Sequence, residues 1–340
     1  MNPRNLLHFK LILIVVLILA LSGCAGKEVI GLAQKKVAEA ETHFQTVQTL
    51  NVEKTYPGDF GTARNQLSEA KEYLEKKWLA KKAIPAAESS LMASKSILKQ
   101  YYLDGIAVKA TTLRSSIMDE VNKDADTPLK DLLPEIDSVL NYAEKLEAGQ
   151  EIASLERVLA SLDTCIKIQD ATLSYTSDKL ESDVSFDIGS YELSERGISA
   201  LDESFLRKIL SDKEGYKDQY PDSVITVRIK VVGYTDQVGF KNRKLIAELT
   251  RGAEDEVPGD KLGRRQFLNQ RLSELRAKAI SQYLRQRILS SERGGSQVNV
   301  EEDVVGKGET MPPGIIPSNY TNDPQRRVCK IYSTISYMAK

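Results

Sequence analysis

The run Gly233-Tyr234-Thr235-Asp236, followed after an insertion by Asn269, Leu272-Ser273 and Arg276-Ala277, is the stretch on which the reading of this chain turns. Counted as a helix from Leu268, the residues Asn269, Ser273 and Arg276 fall at i, i+4 and i+7 and share one side, while Leu268, Leu272, Leu275 and Ala279 form an adjoining apolar stripe. A helix buried on that stripe presents a polar edge. The preceding run Val224 to Val232 reads as a strand, and Asp236 stands just past its end. A guanidinium holds a carboxylate through two parallel hydrogen bonds, and a carboxylate holds an ammonium. The edge therefore suits a zwitterion; the plain alternative is that Asp236 and Arg276 pair with each other.

Outward from this stretch, the composition after Ser177 alternates between strand and helix patterns. Val184 to Ile188 is expected as a short strand, Glu195 to Ser211 as a helix, Asn269 to Ile288 as a helix, and Val298 to Val305 and Val328 to Ser336 as strands. That order predicts an α/β sandwich, a sheet covered by helices on one face. The insertion 240–267 carries Lys241, Arg243, Lys244, Arg251, Arg264 and Arg265 with few apolar residues. It reads as a mobile loop outside the core, with a contact for glycan or a partner protein as the alternative.

At these residues the chain resembles the OmpA-like C-terminal domain family, which includes the peptidoglycan-associated lipoproteins. The resemblance spans roughly Asp183 to Tyr337 and rests on five ordered segments: Phe186-Asp187, Gly233 to Asp236, Asn269 to Ala277, Gly306-Lys307-Gly308-Glu309, and Arg326-Arg327-Val328. Tyr234 stands where the family has His, Gln325 where it has Asn, and the insertion 240–267 is extra. The resemblance implies a sheet of mixed parallel and antiparallel strands and a ligand, the diaminopimelate of the peptidoglycan stem peptide, whose free end is a zwitterion. It implies Asp236 at the ammonium, Arg276 at the carboxylate and Asn269 in support of the pocket, with Ser273, on the same side of the helix, counted among the ligand-binding residues. One of Arg326 and Arg327 would brace the sheet and the other lie near the site.

The N-terminal segment points to a membrane. Arg4 and Lys10 precede an apolar run from Leu11 to Leu21, which ends in Ser22-Gly23-Cys24. This looks like a bacterial lipoprotein signal, with residues 1–23 removed and Cys24 lipidated, because the run is shorter than the ~20 residues a spanning helix needs. The expected location is the outer membrane, lipid-anchored and facing the periplasm. Cys165 and Cys329 are then left as two buried free thiols, or as a disulfide if geometry allows.

Residues 24–178 read as an all-α spacer and 179–340 as the wall-binding domain, an α+β organisation overall. Ile30, Ala33, Val37, Ala40, Phe44 and Val47 recur at helical spacing, and Tyr56-Pro57-Gly58-Asp59 breaks the run. Ala63, Leu67, Ala70 and Leu74 form a second face, matched 24 residues on by Ala87, Leu91, Ser94 and Leu98. Asp126-Thr127-Pro128 reads as a helix cap with proline at the first helical position. The final face is expected to run Ile152, Leu155, Leu159, Leu162, Ile166. This half serves as a helical spacer, or it recruits an envelope protein partner, with wall binding secondary.

The 47 basic and 48 acidic residues nearly cancel, and no basic domain or stripe marks a nucleic-acid partner. The two histidines, His8 and His43, both precede the strand-and-helix region, so that region has no histidine for a general base or metal ligand. The chain reads as a binding protein and not an enzyme, without cofactor or metal. Its expected partners are peptidoglycan and a membrane reached through the lipid anchor.

Overall fold

The computed structural model describes residues 3–186, 190–292, 298–316 and 321–338, with side chains described except at 3–25, 183, 184 and 338. The apolar run Leu11–Leu21 and Cys24 fall among those without described side chains, and Asp187 and Ile188 lie outside the described residues. The chain divides into two compact units, Met1–Ala110 with Ser138–Asp163, and Thr111–Asp137 with Thr164–Lys340. The second unit thus takes in helical segments that precede residue 179.

The first unit is helical. It holds α1 (Pro3–Thr49), α2 (Pro57–Glu75) and α3 (Ala80–Tyr101), where α3 passes through a π-turn at Tyr102–Ala107 into α4 (Val108–Lys123). The small-residue stripes are buried as their spacing requires: Ala33, Val37 and Ala40 on α1, Ala63, Leu67 and Ala70 on α2, and Ala87, Leu91 and Ser94 on α3. The small side chains let backbones approach, and Ser90 Oγ donates to the Ala63 carbonyl across α2 and α3 at 2.7 Å. Later come α5 (Leu133–Glu147) and α6 (Leu155–Leu173), of which this unit takes residues 138–147 and 155–163. The buried side of α6 is Val158, Ser161, Cys165 and Ile168, while Ile152 and Leu159 are exposed. The expected face is therefore rotated. In the first unit the buried Tyr102 hydroxyl reaches Ser161 at 3.0 Å and the Val139 carbonyl at 2.9 Å. A buried hydroxyl must be satisfied, and that constraint is invisible to apolar spacing.

The second unit is built on a four-stranded sheet in the order β1-β4-β2-β3. The strands are β1 (Thr176–Glu181), β2 (Val224–Gly233), β3 (Val298–Gly306) and β4 (Val328–Met338). β2 and β3 are parallel, and β4 runs antiparallel to both β1 and β2. Around the sheet lie α7 (Ser182–Ser185), α8 (Glu195–Ala200) continued through a π-turn into α9 (Arg207–Gln219), α10 (Arg243–Thr250) and α11 (Lys261–Ser290). Alternate residues Ile225, Val227, Ile229 and Val231 of β2 meet Ala277, Ile280, Leu284 and Ile288 of α11 and Leu201, Phe205 and Ile209 of α8–α9. The mixed sheet with helices on one face, as expected, is the result.

The first strand is a correction. The described part of the expected strand, Val184 to Phe186, is not one: Ser182–Ser185 is a helical turn and Phe186 makes an isolated bridge to Leu193. The edge strand is instead Thr176–Glu181, which buries Leu180 alone. An edge strand covered on one side needs few apolar residues, so its pattern is faint.

The opposite face of the sheet is closed by the segment before α5. The Tyr234 hydroxyl donates to Asp126, Tyr332 donates to Asp124 at 2.8 Å, and Lys330 Nζ lies 2.9 Å from the same carboxylate. Thr127 caps the turn that starts at Pro128 by accepting the Leu129 N–H, as its sequence predicts, and donates to the Tyr175 hydroxyl at 3.1 Å. Burial raises the Asp126 carboxyl above its usual value, against the opposing pull of Lys307. The tyrosine at 234 therefore ties the sheet to this segment.

Candidate functional site

The C-terminal ends of β2 and β3 carry Gly233 and Gly306, which face each other in register. A side chain at Gly233 would run into the backbone carbonyl of Ser273, and a Cβ at Gly306 would come within 2.8 Å of Ser273 Oγ and 2.9 Å of the Gln270 carbonyl. These two glycines let α11 lie directly on the strand ends. The turn that follows is fixed by Lys307 N–H to the Gly233 carbonyl at 2.9 Å and by Gly308 at a φ of 51°. Ser273 Oγ accepts the Gly308 N–H at 3.0 Å and donates to the Gln270 carbonyl at 2.7 Å. Ser273 thus fastens the turn to the helix and does not line the site, a correction to its expected role.

Beside this junction is a cavity of about 540 Å³ whose walls bring Asp236, Asn269, Arg276 and Arg327 together. Both proposed charge carriers are buried, Asp236 with 4% and Arg276 with 8% of its surface exposed, and not on an open edge. Asp236 Oδ2 receives Arg327 Nη1 at 2.8 Å, and Oδ1 accepts the Val238 N–H at 3.1 Å. The ion pair at the site is therefore made with a residue 91 positions away. Arg276 Nε donates to the Ser190 carbonyl at 3.1 Å, and its guanidinium lies 5.1 Å from the centre of the Phe186 ring. These contacts fix the plane of the fork.

The two adjacent arginines make different contacts. Arg327 lines the cavity and also reaches Asn322 Oδ1 at 2.7 Å. Arg326, absent from the cavity walls, donates to the Glu309 carbonyl. Glu309 is a hub that the sequence did not reveal: its carboxylate takes both ends of the Arg265 fork at 2.8 Å each and Asn269 Nδ2 at 2.8 Å. Asn269 thereby orients toward the turn as well as toward the cavity. Arg265 and Glu309 are 44 residues apart, and no local spacing links them.

The insertion is also corrected. It is not a loop outside the core: Asn242 caps α10 by accepting the Lys244 and Leu245 N–H groups, and Leu245 and Leu249 are buried against Leu268 and Leu272 of α11. Its last residues extend α11 back to Lys261, capped by Asp260. Phe240, Lys241 and Leu245 from this segment form one wall of the cavity. The i, i+4 pair Leu245 and Leu249 was the available signal, masked by the surrounding charge.

Among the described residues of the walls the charged groups are Arg276, Arg327, Lys241 and Asp236, with Arg327 paired to Asp236. Cys329 lies behind the site, where burial pushes its thiol up to about 12 against the pull of nearby Arg276. It stays protonated and inert at neutral pH, and Cys165 and Cys329 are both buried and outside any disulfide.

No protein-family model matches the chain, and no curated protein matches it. Among solved structures it is similar to a MotB-like protein from Desulfovibrio vulgaris, with 16% identity, 47% of this chain and 76% of that chain covered, and a TM-score of 0.24. It is likewise similar to the OmpA-like domain of FopA1 from Francisella tularensis, with 18% identity, 48% and 75% covered, and a TM-score of 0.22. At these scores the likenesses cover part of the chain only.

Proposed function

We propose that the second unit binds peptidoglycan non-covalently through the diaminopimelate of the stem peptide, and that lipidation at Cys24 tethers the chain to the outer membrane on its periplasmic side. The observation that carries the wall reading is the convergence of Asp236, Asn269, Arg276 and Arg327 on one cavity. Arg276, which contacts Phe186 and Ser190, brings a guanidinium to the cavity wall, the group that recognises a carboxylate. Asp236 has lone pairs beyond those used by Arg327 and Val238, so an ammonium shares the carboxylate with Arg327. A weak wall contact and a lipid anchor on the same chain would reinforce each other through effective concentration.

Co-sedimentation of the full chain with purified sacculi tests this. Walls containing diaminopimelate should retain it, and walls with lysine in that place, which lack the distal carboxylate, should retain it less. Arg276→Lys keeps the charge but loses the fork, and should weaken binding by about one to two powers of ten. Equal retention on both walls, with Arg276→Lys indifferent, would refute the mechanism.

A further inference from the structure

A second cleft, of about 800 Å³, shares Gly239 and Phe240 with the first cavity and is otherwise lined by other residues of the insertion and by Leu268. Its floor and walls are apolar, made by Phe240 and Ile246 from the α10 side and by Leu262 and Leu268 from α11. Leu262 is 56% exposed, a large apolar side chain left facing solvent at the mouth. The rim is cationic: Arg243, Lys261 and Arg264 border the cleft, and Arg265 is committed to Glu309. Among the described residues none of the first three makes an ion pair, and the cleft is lined by no carboxylate. Asp260, the nearest acid in sequence, accepts the Gly263 N–H as the cap of α11. The first turn of that thirty-residue helix adds its own positive potential beside the rim.

An apolar cleft of this size falls within the ~300–1,000 Å³ usual for small-molecule sites. Its rim of uncompensated cations decides the sign of the ligand's polar end. We propose that this cleft is a second binding site, which takes an amphipathic anion: an alkyl or acyl chain ending in a carboxylate or phosphate. The chain lies along Phe240, Ile246 and Leu268, Leu262 folds over it, and the head is held by Arg243, Lys261 and Arg264. A neutral amphiphile would leave the three cations unanswered, and a cationic one would be repelled. The site does not depend on the wall reading, since its rim residues are distinct from Asp236, Asn269, Arg276 and Arg327.

The test is photolabelling of the full chain in phosphatidylcholine nanodiscs with a diazirine-bearing alkyl phosphate below its micelle concentration, followed by mapping of the labelled peptides. Label should fall on the segments carrying Phe240 to Ala247 and Lys261 to Leu268. Octyl phosphate and octanoate should compete, while octanol and octyltrimethylammonium should not. Arg243→Ala with Arg264→Ala should weaken competition at least about tenfold, and Leu262→Asp, at an exposed position, should abolish specific labelling. Sacculus retention of the same variants should stay at the wild-type level, which separates failure here from failure of the wall reading. Phosphatidylglycerol in the nanodiscs distinguishes the sources: loss of labelling identifies a membrane lipid, and undiminished labelling a free anion. Scattered label, equal competition by octanol, or indifference to the arginine and leucine variants would overturn the proposal.

Discussion

Replacing Asp236 with Asn should weaken the proposed wall binding and also destabilise the second unit, by an amount set by the Arg327 pair. The carboxylate is buried, and Arg327 Nη1 lies 2.8 Å from it. With asparagine, the oxygen stays on the Val238 N–H and the amide nitrogen turns a donor toward a donor. Breaking a buried pair costs ~3–5 kcal/mol. Arg327 keeps 22% of its side-chain exposure and its bond to Asn322, so the loss nearer a single charge-assisted hydrogen bond applies, about 2 kcal/mol. For a unit of roughly 200 residues, with ~2–4 °C per kcal/mol, the melting temperature should fall by about 4–8 °C. Scanning calorimetry of the full chain measures it, and hydrogen exchange at β4 amides identifies which transition belongs to this unit. Arg327→Met and the double variant complete a cycle, in which the coupling should exceed about 1 kcal/mol. A shift below about 1 °C in Asp236→Asn, with additive effects in the double variant, would refute the pairing as a source of stability.

Leu249→Ala should cost about 2–5 kcal/mol, because the side chain is fully buried against α11; a urea midpoint unchanged from wild type would show that the insertion does not pack. Asp126 gives a pH signature. Its folded carboxyl titrates above its unfolded value because of burial, so the unfolded state loses its proton first and stability falls as pH rises from about 4 through the raised value. Asp126→Asn still accepts the Tyr234 hydroxyl and should flatten that fall, leaving the variant at least as stable as wild type at neutral pH. A variant less stable at every pH would mean that the carboxylate charge, answered by Lys307, stabilises the fold.

Sequence alone determined the elements whose periodicity is local. β2 and β4 alternate, α11 carries its apolar stripe beside Asn269 and Arg276, the small-residue stripes of α1 to α3 repeat at helical spacing, and Thr127-Pro128 announces its cap. Each of these is dictated by which side of one element must leave water. Tertiary structure decided what depends on residues distant in sequence. Asp236 is neutralised by Arg327 and not left open, Glu309 gathers Arg265 and Asn269, and Tyr234 reaches Asp126 across 108 positions. A buried charge or hydroxyl must be answered by whichever group the fold brings near, and no spacing along the chain states which that is. The same holds for the insertion, whose two buried leucines matter only because α11 offers Leu268 and Leu272 to meet them. It holds for the edge strand too, where pairing with β4 supplies the hydrogen bonds that a mostly polar segment, Thr176–Glu181, could not find alone.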